Sequence, residues 1–243
     1  MLKFFRRISK SIKTGNRVGK YLFYAGGEIV LVVIGILLAL SINNWNEERK
    51  MRVKEEYFLS KQSSNLKDDI KQFYQVIEYE KDVAHHLDSI LIIIRNPTRF
   101  EIADLRNHER SFFAFKRFYT NKTAFDNLVS SGQIDIIENQ SLVEKLFTYY
   151  RDVNEQESSG DAALATYSRN NVGPFFMQFD FQNSSNDHGK SKLRKEKSLI
   201  EYHLEPQADN LIVFKLSLIN SQISSYNELI KKAEIIIKIL ESD

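Results

Sequence analysis

Cysteine is absent from this chain, which excludes disulfides, zinc thiolate sites and thiol catalysis and leaves the redox compartment undetermined. Glycine-rich phosphate loops, nucleophile elbows and dinucleotide fingerprints are missing as well. The nearest approach, Gly15-Asn16-Arg17-Val18-Gly19-Lys20, has the wrong glycine spacing for a phosphate loop. Histidine is sparse, and none of His85, His86, His108, His188 and His203 falls in an H-E-x-x-H or E-x-x-H arrangement. His85 and His86 are adjacent, so on a regular helix they face about 100° apart and cannot chelate one ion. This census points away from an enzyme, and no catalytic residue, cofactor or metal site is expected. Proline and glycine are both missing between Trp45 and Arg95, so nothing interrupts a helix there.

What the chain does have is one long apolar run. Residues 21–45 read YLFYAGGEIVLVVIGILLALSINNW. At 1.5 Å per residue a helix places Tyr24 and Trp45 about 31 Å apart, the thickness of a bilayer's hydrocarbon core. Tyr21, Tyr24 and Trp45 then serve as interfacial anchors, with membrane lipid as the first expected partner. Seven Lys/Arg precede the run, and four follow it between Asn46 and Glu56, interleaved with four Glu. That asymmetry predicts a cytoplasmic N-terminus, with residues 46–243 on the far side. The rival is a cleaved signal peptide, because Ile29 to Leu40 has the right length and Ala39-Leu40-Ser41 has small residues for cleavage. A mature product beginning at Ile42 would end the anchor reading.

Charge is concentrated at the same end. The net charge is +2, yet residues 1–20 hold seven cations and no acid, and removing those seven leaves the remainder at −5. A nucleic-acid partner is therefore not expected. Phe5, Ile8 and Ile12 fall on one helical face of this basic arm, which suits a helix lying on an anionic leaflet; an unstructured topology signal is the alternative.

Within the apolar run, Glu28, Gly35 and Ala39 lie within about 20° of one line on a helix. Gly35 and Ala39 make a small-xxx-small pair that lets two helix backbones approach in lipid. An ionised carboxylate at the centre of a membrane helix costs on the order of 3 kcal/mol or more, so Glu28 needs a partner or water. Two readings stay open. Either the stripe packs on another transmembrane helix, or Glu28 lies one turn inside the boundary marked by Tyr24 and reaches the headgroups.

Beyond the run, helix signals dominate. Leu59, Leu66, Phe73, Leu87 and Ile94 alternate with Ile70, Ile77, Ala84 and Leu91 in a heptad-like stripe interrupted at Ser63 and Glu80. Arg95-Asn96-Pro97 should stop that helix. Thr98 and Glu101 have capping-box spacing ahead of a segment to Tyr119, with Phe112, Phe115, Phe118 and Tyr119 as an aromatic face. A short helix is expected over Thr123 to Ser131, closed at Gly132. Ser141 and Glu144 have the spacing to cap a long helix with Leu142, Leu146, Tyr149, Val153, Leu164 and Tyr167 inward, ending before Gly173-Pro174. A loop follows over about 173–205, whose stretch from Phe175 to Lys197 is aromatic and then basic and is a candidate partner contact. The last helix runs from about Pro206 to Leu240, with Leu211, Phe214, Leu218, Tyr226, Leu229, Ala233, Ile236 and Leu240 on its stripe.

Two blocks carry a resemblance. GKYLFYAGGEIVLVVIGILLALSINNWNEERK, residues 19–50, resembles the N-terminal hallmark of an uncharacterised family of single-span membrane proteins from flavobacteria-like Gram-negative bacteria, a domain of unknown function. TAFDNLVSSGQIDIIENQSLVEKLFTYY, residues 123–150, resembles its internal motif. The resemblance implies an inner-membrane anchor with a helical periplasmic domain, and it implies no activity.

The expected fold is all-α: a basic arm over 1–20, a transmembrane helix over 21–45 continuing into a long helix, and an antiparallel helical bundle within 46–243 outside the cytoplasm. Two function classes follow. The first is a membrane-anchored scaffold or assembly partner, engaging a homo-oligomer or an envelope complex. The second is a periplasmic sensor of a small ligand or envelope stress. A sensor needs an output, and about 20 cytoplasmic residues supply none, so the scaffold is preferred.

Overall fold

A computed structural model describes residues 17–176 and 198–242 of the 243. The amphipathic face of the basic arm, His188 and the basic stretch through Lys197 lie outside the described residues. Among those described, the fold is all-helical and no strand occurs. The chain divides into two units, one ending at Glu56 and the other beginning at Tyr57.

Helix α1 is continuous over Arg17–Arg95, as the missing proline and glycine beyond Trp45 predict. Its polar stretches carry helix-stabilising pairs three residues apart, Glu47 with Lys50 at 2.8 Å and Glu78 with Lys81 at 3.0 Å. It stops at the expected place, where the Asn96 amide donates to the Ile92 carbonyl at 2.7 Å just before Pro97. In the first unit the helix side chains from Tyr21 to Trp45 are all exposed, and this run is long and apolar enough to cross a membrane.

The second unit adds α2 (Ile102–Arg106), α3 (Thr123–Ser130), α4 (Gln140–Glu155), α5 (Asp161–Tyr167), α6 (Gly173–Phe176), α7 (Leu199–His203) and α8 (Pro206–Ser242). Helix α3 ends as expected: Gly132 adopts φ 68°, and the N–H groups of Gly132 and Gln133 bond back to Val129 and Leu128. That left-handed closure is one glycine accepts without steric cost. Helix α4 differs from expectation at its start. Its cap is Asn139, whose side chain accepts from the Leu142 N–H at 3.0 Å, two residues before the Ser141 capping box.

The far end of that helix also differs. From Gln140 to Phe176 the chain stays helical, passing through two π-helical turns at Gln156–Gly160 and Ser168–Val172, and Gly173-Pro174 lies inside it. Proline lacks an N–H and clashes with the preceding turn. Here the wide π turn directly before it has already shifted the hydrogen-bond ladder, so Pro174 is accommodated. Within the stretch read as a loop, Leu199–His203 is helical, opened by a capping box in which Ser198 and Glu201 exchange hydrogen bonds.

The segment expected to form an aromatic helix up to Tyr119 does not. Helix α2 covers five residues, a 3-10 turn covers Glu109–Phe112, and residues 114–122 have no helical structure. Burial there alternates: Phe118 is buried while Arg117 and Tyr119 are exposed. That is the period of an extended chain, favoured by its aromatic composition. Phe112, Phe115 and Phe118 imitate a helical face only because they recur every third residue.

Packing in the second unit forms two apolar clusters. One gathers Phe58, Leu66, Phe73 and Ile77 of α1 with Leu142, Leu146 and Tyr149 of α4 and Tyr226 to Ile237 of α8. The other gathers Val83 to Ile94 of α1 with Leu164, Tyr167 and Phe175 and with Leu211, Ile212 and Ile219 of α8. Phe73 and Phe118 stack with ring centroids 4.1 Å apart, worth about 1 kcal/mol beyond the area buried. At the edges, Lys67 meets Glu241 at 2.8 Å, and Arg95 grips Asp209 with two hydrogen bonds of 2.7 and 2.8 Å.

Candidate functional site

In the first unit the residues singled out from the sequence stand together on one helix. Glu28, Gly35 and Ala39 are exposed, and a Cβ built on Gly35 meets nothing within 4 Å. The space needed for a second helix backbone is therefore open. Tyr21, Tyr24 and Trp45 are exposed at 78%, 76% and 63%, and the Arg49 guanidinium lies 5.8 Å from the Trp45 ring centroid. An aromatic ring with a cation beside it suits the headgroup region, where one end of the pair is wet.

The second unit holds a site that apolar patterning missed. Between its two apolar clusters runs a polar layer: Glu80 stands between Ile77 and Val83 on α1, Asp161 between Val153 and Leu164, and Gln222 between Ile219 and Tyr226 on α8. All three are at most 3% exposed. The layer holds the extended segment. Its N–H groups at 116, 118 and 120 have no neighbouring strand, and each donates instead to a carboxylate: Lys116 to Glu80 at 2.6 Å, Phe118 to Asp161 at 3.2 Å, and Thr120 to Glu157 at 3.0 Å. Alternate N–H groups of an extended chain point the same way, so carboxylates projecting from the helices do the work of a missing β-strand. The carbonyls just upstream are held by Lys215, whose ammonium donates to Ser111, Phe112 and Ala114 at 2.6, 2.8 and 2.8 Å.

Asp161 is the hub. It also accepts from the Gln156 amide at 3.1 Å, the Gln222 amide at 2.9 Å and the Tyr226 hydroxyl at 2.6 Å. Asp69, further along α1, accepts from Thr120 and Tyr149 hydroxyls at 2.9 and 2.8 Å. Every one of these partners is a donor, so each bond satisfies a carboxylate oxygen of the network.

Burial moves the titrations. Loss of water pushes Glu80 up to about 7 against the pull of the Lys116 N–H and the Lys215 charge, and pushes Asp69 up to about 6 against its hydroxyl donors. Burial also pushes Lys215 down to about 8, opposed by Glu80. A raised carboxyl contributes stability that is complete below its unfolded value and lost as pH rises through its folded one. Folding should therefore strengthen as pH falls from about 7.5 to 6.5, with Glu80 the main contributor. Lys215 runs the opposite way, its contribution lost as pH falls through about 8 and so largely spent by pH 7.5. His108 is held below its usual value by burial and by His86 and His85, and its opposing effect begins only below 6.5. Glu80→Gln should flatten urea midpoints between pH 7.5 and 6.5, removing up to about 3 kcal/mol of pH-dependent stability over the whole titration. An unchanged slope would contradict the assignment.

His86 of α1 and His108 of the turn after α2 face each other with Nδ1 atoms 2.7 Å apart, and Asp82 lies 3.8 Å from the far nitrogen of His86. Among the described residues no three His, Asp or Glu side chains converge as a metal site.

The sequence pattern of a family of unknown function (DUF6090) matches residues 28–189, from Glu28 through both π turns. The chain belongs to this family. Neither the curated proteins nor the solved structures contain a match to it. Within the DUF6090 range lie Gly35, Ala39, Glu80, the extended segment and Asp161, whereas Lys215, Gln222 and Tyr226 on α8 lie beyond it.

Proposed function

We propose that this chain is a membrane-anchored, non-enzymatic scaffold or assembly partner. In this reading helix α1 crosses the inner membrane of a Gram-negative bacterium once between Tyr21 and Trp45, with the basic arm cytoplasmic. Residues 46–243 form a periplasmic antiparallel helical bundle. The observation that carries the reading is the fully exposed apolar run with Glu28, Gly35 and Ala39 on one line. A carboxylate on that line is expensive in lipid and inexpensive against a partner helix or a second copy. The body supports the same reading, since its internal carboxylates serve the backbone and so make it a rigid platform. Contacts pairing 67 with 241 and 95 with 209 favour the antiparallel arrangement.

Native pull-down of the intact protein tests this. The wild type should bring down a second copy or an envelope protein in stoichiometric amount. Gly35→Leu, which fills the open surface, and Glu28→Gln should each cut that yield several-fold while leaving the protein in the membrane. Equal recovery from all three would remove the membrane stripe from the account.

A further inference from the structure

We propose that the outer edge of the extended segment over residues 114–122 binds an acidic strand of a partner protein, laid alongside it by β-augmentation. Along the inner edge, the N–H groups at 116, 118 and 120 are held by the carboxylates of Glu80, Asp161 and Glu157. Backbone polar groups of an extended chain alternate in direction, so the N–H and C=O groups at 115, 117 and 119 point the opposite way. Among the described residues these groups have no hydrogen-bond partner. Arg117 and Tyr119 are exposed and Phe115 is half-buried, which puts that edge at the surface. An unpaired row of this kind is a template for a second strand. The row is also rigid, because the inner bonds and the buried Phe118 fix the segment, and a pre-formed edge loses little freedom on binding.

The side chains select the occupant. Residues 111–122, SFFAFKRFYTNK, carry Lys116, Arg117 and Lys122 and no acid. Phe115, Arg117 and Tyr119 recur at every second position and so share one face of the strand. The Arg117 guanidinium lies 5.6 Å from the Phe115 ring centroid and meets no carboxylate among the described residues. A second copy of this chain is disfavoured, because antiparallel self-pairing about position 117 sets Arg117 against Arg117, and like charges directly opposed are destabilising. An acidic strand meets no such penalty. Its residue opposite Arg117 is Asp or Glu, and the residues two positions to either side, opposite Phe115 and Tyr119, are β-branched or aromatic. Backbone pairing supplies the affinity and the alternate side chains supply the specificity. This surface belongs to the second unit and is independent of the membrane stripe.

The probe is the fluorescein-labelled, C-terminally amidated peptide TVTETVT, titrated with the intact detergent-solubilised chain at about 150 mM salt while anisotropy is followed. The result expected is saturable binding with a midpoint on the order of 100 μM or below. The peptide TVTKTVT should need at least roughly tenfold more protein. N-methylation of the glutamate and both valines removes the N–H groups that face the segment and leaves the charge intact, and it should abolish binding. Both of these controls use the wild-type chain, so they stand whatever a variant does. Arg117→Glu, at an exposed position, should melt like the wild type and prefer the lysine peptide. Gly35→Leu should bind the probe as the wild type does, which separates this edge from the membrane stripe. Absence of saturation by roughly 1 mM overturns the proposal. So does equal binding of the N-methylated peptide, equal binding of the glutamate and lysine peptides, or an unchanged preference in Arg117→Glu.

Discussion

Asp161→Ala should cost the second unit about 4 kcal/mol, a large fraction of the 5–15 kcal/mol that holds an ordinary domain together. The size follows from how many groups the carboxylate satisfies. It accepts from the Phe118 N–H, the Gln156 and Gln222 amides and the Tyr226 hydroxyl, and it is only 2% exposed. Truncation leaves four buried donors without an acceptor, each carrying its own desolvation cost, and opens a cavity. Asp161→Asn keeps the volume but turns an amide N–H toward donors, and should cost about half as much. Thermal unfolding by circular dichroism should show the alanine variant melting about 10 °C or more below the wild type. A loss under about 1 kcal/mol would mean that the extended segment is held by something other than these bonds.

Lys215→Met should rank second, at about 3 kcal/mol near pH 8. Methionine fills the space of the lysine stem, so the loss isolates the ammonium: three carbonyls at 111, 112 and 114 lose their donor, and Glu80 loses the cation that holds its titration down. The second consequence gives the prediction a signature. Without Lys215 the Glu80 value should rise further, so an ionised Glu80 is penalised more at alkaline pH and a protonated one is unaffected at pH 5. Urea unfolding should therefore find the variant closer to wild type at pH 5 than at pH 8. A deficit independent of pH would separate Lys215 from Glu80 and contradict the coupling between α1 and α8.

Much of the helical framework was legible because apolar periodicity reports burial directly. Leu66, Phe73, Ile77, Leu87, Leu91 and Ile94 of the predicted α1 stripe are buried, as are Leu211, Tyr226, Leu229, Ala233 and Ile236 of α8. The same method misled wherever a polar group was buried. Glu80 reads as an interruption of the stripe and is wholly inside; Lys215 reads as surface and is 1% exposed, while Phe214 beside it is 56% exposed. A pattern of hydrophobicity has no means of marking a carboxylate that serves a distant backbone N–H. The capture of N–H groups at 116, 118 and 120 is a tertiary event, and it overrides the three-residue aromatic spacing that suggested a helix. The π turns were invisible for a related reason. They shift the helical phase by one residue without a proline or glycine at their start, and only Gly160, pressed by Gln156, hints at the first of them.

The membrane-length stretch lies within one continuous α-helix, so the angular positions of its residues follow from numbering alone. It also carries the central claim. Single cysteines placed in turn from Gly26 to Ile42 can be crosslinked in native membranes without background, since the chain has no thiol of its own. The account predicts product at positions 28, 35 and 39, falling to a minimum at Val30, Val33 and Leu37 on the opposite side of the helix. Crosslinks spread evenly around the helix, or none at any position, would contradict it.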